Sequence, residues 1–265
     1  MSASRSPKPI AKPARRSYGW LVAAALLAAA GFVLYALPAS IALRFLPKDV
    51  QAIDPSGSLW HGSFAQVSVH GHAVGAVEWN IHPLPLVGGK LSTQLRWIKG
   101  GFVVDAALDA RGASVYVHDV TGGGAIEDLA DLGITRGWSG SAQVAIAELR
   151  IEDQKITAAN GTVTLATLKS PKFGDADIGG YEFALSPQSV QPDGTAIAQV
   201  RDLGGPLQLA GSLSIVPAQS LLTFSGALKE RAGLPPPLLE ELQDLAQIRG
   251  RDAQGRVPLE IELAF

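Results

Sequence analysis

Cysteine is absent from the 265 residues, which excludes a disulfide frame, a thiolate nucleophile and a cysteine-type zinc site. Charge is scarce as well. Asp, Glu, Lys and Arg make up 17% of the chain, below the usual quarter, and the net charge is −2. Nucleic-acid binding needs a basic surface to displace counterions from phosphates, so that partner class is excluded. Aromatic residues amount to only 6%. The sequence also has no Gly-x-Ser-x-Gly elbow, phosphate-binding P-loop, dinucleotide fingerprint or His-Glu-x-x-His motif. The common catalytic and cofactor-binding frameworks are therefore missing. We expect no enzyme activity, no cofactor and no metal.

What the chain does have is one long apolar run near its start. Trp20 to Leu37 reads WLVAAALLAAAGFVLYAL, without a charge. As a helix it measures about 27 Å, close to the hydrocarbon thickness of a bilayer. Trp20 at one end, and Phe32 and Tyr35 near the other, suit the membrane–water boundary. Arg5, Lys8, Lys12, Arg15 and Arg16 precede the run, with no acid among residues 1–19. The positive-inside rule then keeps residues 1–17 cytoplasmic, makes 18–37 a single transmembrane helix and sends the remainder across the membrane. Three alternatives compete, of which a buried soluble helix is the weakest because charges flank the run. Ala28-Ala29-Ala30 offers a signal-peptidase site, although cleavage there leaves the apolar residues 31–37 on the mature chain. Arg15-Arg16 faintly resembles a twin-arginine signal.

Residues 38–56 read as a linker, and residues 57–265 as strands. Val77, Trp79 and Ile81 alternate with Glu78, Asn80 and His82. Phe102, Val104 and Ala106 alternate with Val103 and Asp105, and Val257, Leu259, Ile261 and Leu263 with Glu260 and Glu262. Period two means one apolar and one polar face. Gly, Pro and Asp interrupt at short intervals, which suits an antiparallel meander. Two helical stretches intervene, Ala125–Leu132 and Pro237–Ala246, each with an apolar stripe. The predicted fold is mainly β: a strongly curved sheet or incomplete barrel with two short helices.

Three pairs of segments suggest a duplicated unit. A Trp-x-Gly corner occurs at Trp60/Gly62 and Trp138/Gly140. Gly75 to Trp79 is echoed from Gly161, and Asp119 with Gly122-Gly123 is echoed by Asp202 with Gly204-Gly205. The offsets are 78, 86 and 83 residues, in the same order. Repeat units of about 57–124 and 137–206 result, with C-terminal strands and a helix in 207–265. The corners read as structural punctuation: the glycine allows an unusual backbone angle, and the tryptophan packs across the turn.

Candidates for chemistry are sparse. His70 and His72 have a spacing a metal could use, but only Glu78 lies nearby as a further ligand, and exposed histidines on the polar strand face and turn explain the pattern better. Asp175 and Asp177 lack the spacing of a calcium loop and read as a solvated turn. Gly122-Gly123-Gly124 before a helix reads as a flexible strand-to-helix turn, with anion binding the weaker alternative.

The order of these features resembles a known family: a basic tail and one span, Gly57-x-Leu59-Trp60-x-Gly62, a strand with Trp79, then Trp138-Ser139-Gly140, and Asp202-x-Gly204-Gly205-Pro206-Leu207-x-Leu209. It is similar to protein N of the type II secretion system. Residues 217–221 depart from that family's local pattern. The resemblance implies a non-enzymatic bacterial inner-membrane component with a periplasmic β domain. Its implied partners are other inner-membrane secretion components or the outer-membrane secretin. The layout also resembles AsmA-like envelope proteins, which implies a groove for lipid as the alternative.

Overall fold

The computed structural model describes residues 32, 35–132 and 136–264. The predicted span 18–37 lies largely outside the described residues; Phe32 and Tyr35 are helical and exposed, and Trp20 is not described. No helix among the described residues is long and apolar enough to cross a membrane. The chain divides after Leu37 into two units, and the second holds all the described strands.

Thirteen strands form one antiparallel sheet in chain order. They are β1 (Val50–Gly57), β2 (His61–Val69), β3 (His72–Ile81), β4 (Leu91–Lys99), β5 (Phe102–Arg111), β6 (Ser114–Ala125) and β7 (Ser139–Glu152). Then come β8 (Lys155–Lys169), β9 (Gly180–Leu185), β10 (Ala196–Gly204), β11 (Leu207–Val216), β12 (Leu221–Glu230) and β13 (Val257–Ala264). β1 and β13 are not paired with each other, so the sheet stays open. Two-residue turns at His70-Gly71, Gly100-Gly101, Gly112-Ala113 and Asp153-Gln154 close four hairpins. Loops this short leave each strand no neighbour but the next.

The register explains the alternation. Pro55, Phe64, Val77, Trp97, Val104 and Gly122 pair in succession from β1 to β6. The row continues through Val144, Val163, Phe183, Val200, Gly211, Gly226 and Leu259 to β13. It crosses all thirteen strands without a charged or hydroxyl side chain. One residue along lies the opposite face. There Ser63, Glu78, Arg96, Asp105 and Thr121 pair in turn, and the row ends on Ser212, Ser225 and Glu260. One face is therefore apolar and the other polar from edge to edge.

Two buried clusters sit at the rims of the apolar face, and Phe64 and Val200 of the central row are buried as well. At the rim where odd-numbered strands begin, Phe102, Ile126, Ala142, Leu168, Tyr181, Leu207 and Val257 form one cluster with Leu242. At the other rim, Ile156, Ala159 and Ala196 pack with Leu149, Leu185 and Ile215. Besides α1 (Pro83–Val87) the chain forms a longer helix, α2 (Pro236–Arg249), which closes the first rim with Leu238, Leu242 and Leu245. Lys172, beyond β8, pairs with Glu241 of α2. The second predicted helix is thus present and slightly longer. The first is a 3-10 helix over Ile126–Leu132, pinned from outside: Asp128 accepts the Gly101 N–H at 2.7 Å, and Asp131 pairs with Lys99 at 3.3 Å.

Three expectations need correction. The stretch 38–56 contains a 3-10 helix over Ala39–Phe45 and most of β1. Asp54 and Pro55 hid that strand, because a positive φ (52°) and a missing N–H both break the usual strand pattern. Gly122-Gly123-Gly124 lies inside β6, not in a turn. The three segment matches do not form one duplication. Trp60 and Trp138 open β2 and β7, and Gly75 and Gly161 lie on β3 and β8, five strands apart in both cases; Asp119 and Asp202 lie on β6 and β10, four apart. Five strands of a meander reverse direction and four do not, so no single copying operation relates all three. The offsets looked alike because β7 and β8 have 14 and 15 residues while β2–β5 have 9 or 10.

Leu242 is 3% exposed and joins α2 to the sheet. Leu242→Ala is expected to destabilise the domain by about 2–4 kcal/mol through lost burial and a cavity. Chemical denaturation of both proteins measures it, and an unchanged midpoint would show that α2 does not close that rim.

Candidate interaction surface

The two Trp-x-Gly corners occupy opposite rims and are built differently. At the first, Trp79 of β3 lies across Gly62: a Cβ there would sit 2.5 Å from the Trp79 ring and 2.6 Å from the Ser58 carbonyl oxygen. Trp79 Nε1 donates to the Leu59 carbonyl at 2.8 Å, and its ring meets Phe64 with centroids 4.7 Å apart. The ring spanning the turn is therefore Trp79, and Gly62 serves space rather than backbone angle. Trp60 is partly buried, and its carbonyl accepts the Ile81 N–H at 2.6 Å. At the second corner the angle does matter. Gly140 has φ +148°, a region side chains disfavour, and its N–H donates to Glu127 at 3.2 Å. Trp138 packs on Phe173, with centroids 6.0 Å apart. Of the paired glycines, Gly75 pairs with Val67 of β2 and lies against the Ile98 carbonyl of β4, and Gly161 pairs with Ile146 of β7.

The two aspartates also diverge. Asp119 occupies a bulge between β5 and β6 at φ +52°, and its exposed carboxylate lies 2.7 Å from His118 Nδ1. The other His118 nitrogen is 3.6 Å from Asp109, which also holds Lys90 at 2.9 Å. Hydrogen bonds from Lys90 and Ser92 hold the Asp109 carboxyl below its usual pKa. Asp202 is instead a clamp. Its side chain is 8% exposed; one oxygen accepts the Gly204 N–H at 2.8 Å, and the other lies 2.6 Å from Arg231 Nη2, an ion pair without hydrogen-bond alignment. Arg231 also donates to the Gly205 carbonyl at 3.2 Å. Beside them the Tyr181 hydroxyl donates to the Leu207 carbonyl at 2.8 Å. Tyr181 and Arg231 carry no local motif, so pattern alone does not single them out. The signal was the Asp-x-Gly-Gly-Pro turn itself, whose buried acid needs a cation.

The remaining polar candidates are local. His70 takes φ +51° in the β2–β3 turn, with Asp49 4.0 Å away. Asp177 accepts the Gly179 N–H at 2.9 Å. No cluster of metal-ligating side chains occurs among the described residues.

Between the rim clusters the apolar face is half-buried. Ile146, Val163, Phe183, Leu185, Leu213 and Ile215 line a groove of about 260 Å³. A second hollow of about 370 Å³ lies where Leu207 and Leu228 meet Leu238, Leu242 and Leu245 of α2. Both hollows offer apolar contact surface.

Burial, and then the charge of Asp202, push the Tyr181 phenol above its ordinary pKa near 10. The folded state thus favours the protonated phenol, so its contribution is complete below pH 10 and falls as pH rises beyond it. Tyr181→Phe is expected to lower stability at pH 7 by about 1 kcal/mol and to flatten the alkaline decline. Identical alkaline slopes in thermal melts would exclude the buried phenol as its source.

Residues 48–260 match the family model of the type II secretion system (T2SS), protein N. The chain is 28% identical over 257 residues to the type II secretion system protein N of Vibrio cholerae serotype O1 (strain ATCC 39315 / El Tor Inaba N16961). That alignment covers 91% of this chain and 95% of the relative. No solved structure matches. The family match covers most of the chain, so the chain belongs to the type II secretion system protein N family.

Proposed function

We propose that the chain is a non-enzymatic, single-pass inner-membrane component of the type II secretion system. Residues 18–37 anchor it with the N-terminus in the cytoplasm, and the β domain stands in the periplasm. It supports export of folded periplasmic proteins across the outer membrane by contacts with other inner-membrane components or the secretin. Family membership supports the secretion role. The uncharged run from Trp20 to Leu37, with five basic residues before it, supports the anchor and its orientation. The observation that carries the contact role is the half-buried apolar trough between two packed rims, with an apolar groove of about 260 Å³ along it.

A lipid-handling role is the second reading, favoured by the almost purely hydrocarbon lining of the groove across β7–β11. Its volume, about 260 Å³, falls below the roughly 300–1,000 Å³ of small-molecule sites, so protein contact is preferred.

Deletion of the gene is expected to lower export of type II substrates while phospholipid composition stays unchanged. Quantifying secreted substrate and membrane lipids in the same strains checks both. Normal export with altered lipids, or phospholipid co-purifying with the protein, favours the second reading.

A further inference from the structure

Among the described residues the sheet has two open edges, and they are not equivalent. β1 is interrupted by Asp54 at φ +52° and by Pro55, which lacks an N–H. These are devices that keep an edge from recruiting strands. β13 is regular from Val257 to Ala264, with its single proline, Pro258, near the start. The bonding phase of β13 follows from the ladder behind it. Arg231 N–H donates to the Pro206 carbonyl at 2.7 Å. Antiparallel pairs alternate between bonded and non-bonded, and β11–β12–β13 pair without a register shift. Hence Leu259, Ile261 and Leu263 bond inward to β12, and Glu260, Glu262 and Ala264 turn their N–H and C=O groups to the open side.

The side chains state what would fit there. On the apolar face, Leu213 and Phe224 lead to Ile261, and Ile215 and Leu222 lead to Leu263. Ile261 and Leu263 are 42% and 55% exposed, so the apolar face runs out unfinished at this edge. On the polar face, acids elsewhere meet cations across strands: Asp105 meets Arg96 and Glu182 meets Arg201. Glu260 and Glu262 stand opposite Ser225 and Thr223, and neither forms an ion pair among the described residues. A second copy pairing antiparallel about Ile261 would set Glu260 against Glu262 twice, and like charges directly opposite are destabilising.

We propose that β13 is a docking edge for an extended segment of another protein, in which Lys or Arg alternates with aliphatic residues and which adds a fourteenth strand. This deepens the secretion reading and rests on it for the identity of the partner's machine. Main-chain bonds to residues 260–264 supply the adhesion, the cations face Glu260 and Glu262, and the aliphatic side chains cover Ile261 and Leu263.

The test uses the full chain in detergent micelles and a fluorescent peptide, Thr-Lys-Val-Lys-Ile-Lys-Val-Thr, followed by anisotropy. A second peptide carries Glu in place of each Lys. The basic peptide is expected to bind at least tenfold more tightly than the acidic one, and the double variant Glu260→Lys/Glu262→Lys to reverse that order. Glu262→Gln, which keeps the N–H, should weaken binding a few fold. Glu262→Pro, which removes only an outward donor, should weaken it at least tenfold with an unchanged melting temperature. Equal affinity for both peptides, full binding by Glu262→Pro, or an edge-to-edge dimer in sedimentation would overturn the proposal. Export in the deletion strain reads the parent hypothesis separately. Lost export without peptide binding sinks the edge alone; peptide binding with normal export sinks the secretion role alone.

Discussion

Side chains of an extended strand alternate faces, so a slip of one residue in any pairing would turn an apolar row into the solvent. The structure depends on twelve pairings that all avoid this. Phe64, Trp97, Val144, Phe183 and Leu259 stand on one row although nearly 200 positions separate the first from the last. Short turns fix which strands meet, and the apolar row fixes how they align. Where the count fails, bulges restore it: Asp119 absorbs the extra residue opposite Ala106, and register shifts at Ser139/Ser141 and Ile146/Glu148 do the same in the longest pair.

A sheet built this way has an apolar face larger than its helices can cover. The 3-10 helix over Ile126–Leu132 and α2 protect the rim where odd strands begin, and the opposite rim closes on its own side chains. The middle is a half-buried trough: Phe64 and Val200 of the central row are buried, and Val144, Val163 and Phe183 are half-buried. Polar clamps tie the rim where odd strands begin: Asp202 with Arg231, Arg231 with the Gly205 carbonyl, and Asp128 with the Gly101 N–H.

Much of this was legible in advance where local pattern and tertiary role coincide. Val77, Trp79 and Ile81, or Leu259, Ile261 and Leu263, announce their strands because each has one buried and one exposed face. The helix at Pro236–Arg249 announces itself by proline before it and Gly250 after it. The remainder depends on neighbours distant in the chain. That Trp79, not Trp60, covers the first corner depends on the pairing Gly62↔Trp79. That Asp202 is buried while Asp119 is exposed depends on Arg231, 29 positions further on. Asp153-Gln154 makes a tight hairpin with φ of 48° and 64° although neither residue is glycine, so the usual turn signal was missing. Apparent duplication misled because equal residue counts spanned unequal numbers of strands.

The thirteen-stranded meander is open, and among the described residues its last strand is bonded on one side only. Native-state amide hydrogen exchange along β12 and β13 reads that asymmetry residue by residue. Slow exchange is expected throughout β12 and at Leu259, Ile261 and Leu263, with fast exchange at Glu260 and Glu262. Uniformly slow exchange along β13 in the isolated, monomeric protein would mean that the edge is already paired, and the account of an open sheet would be wrong.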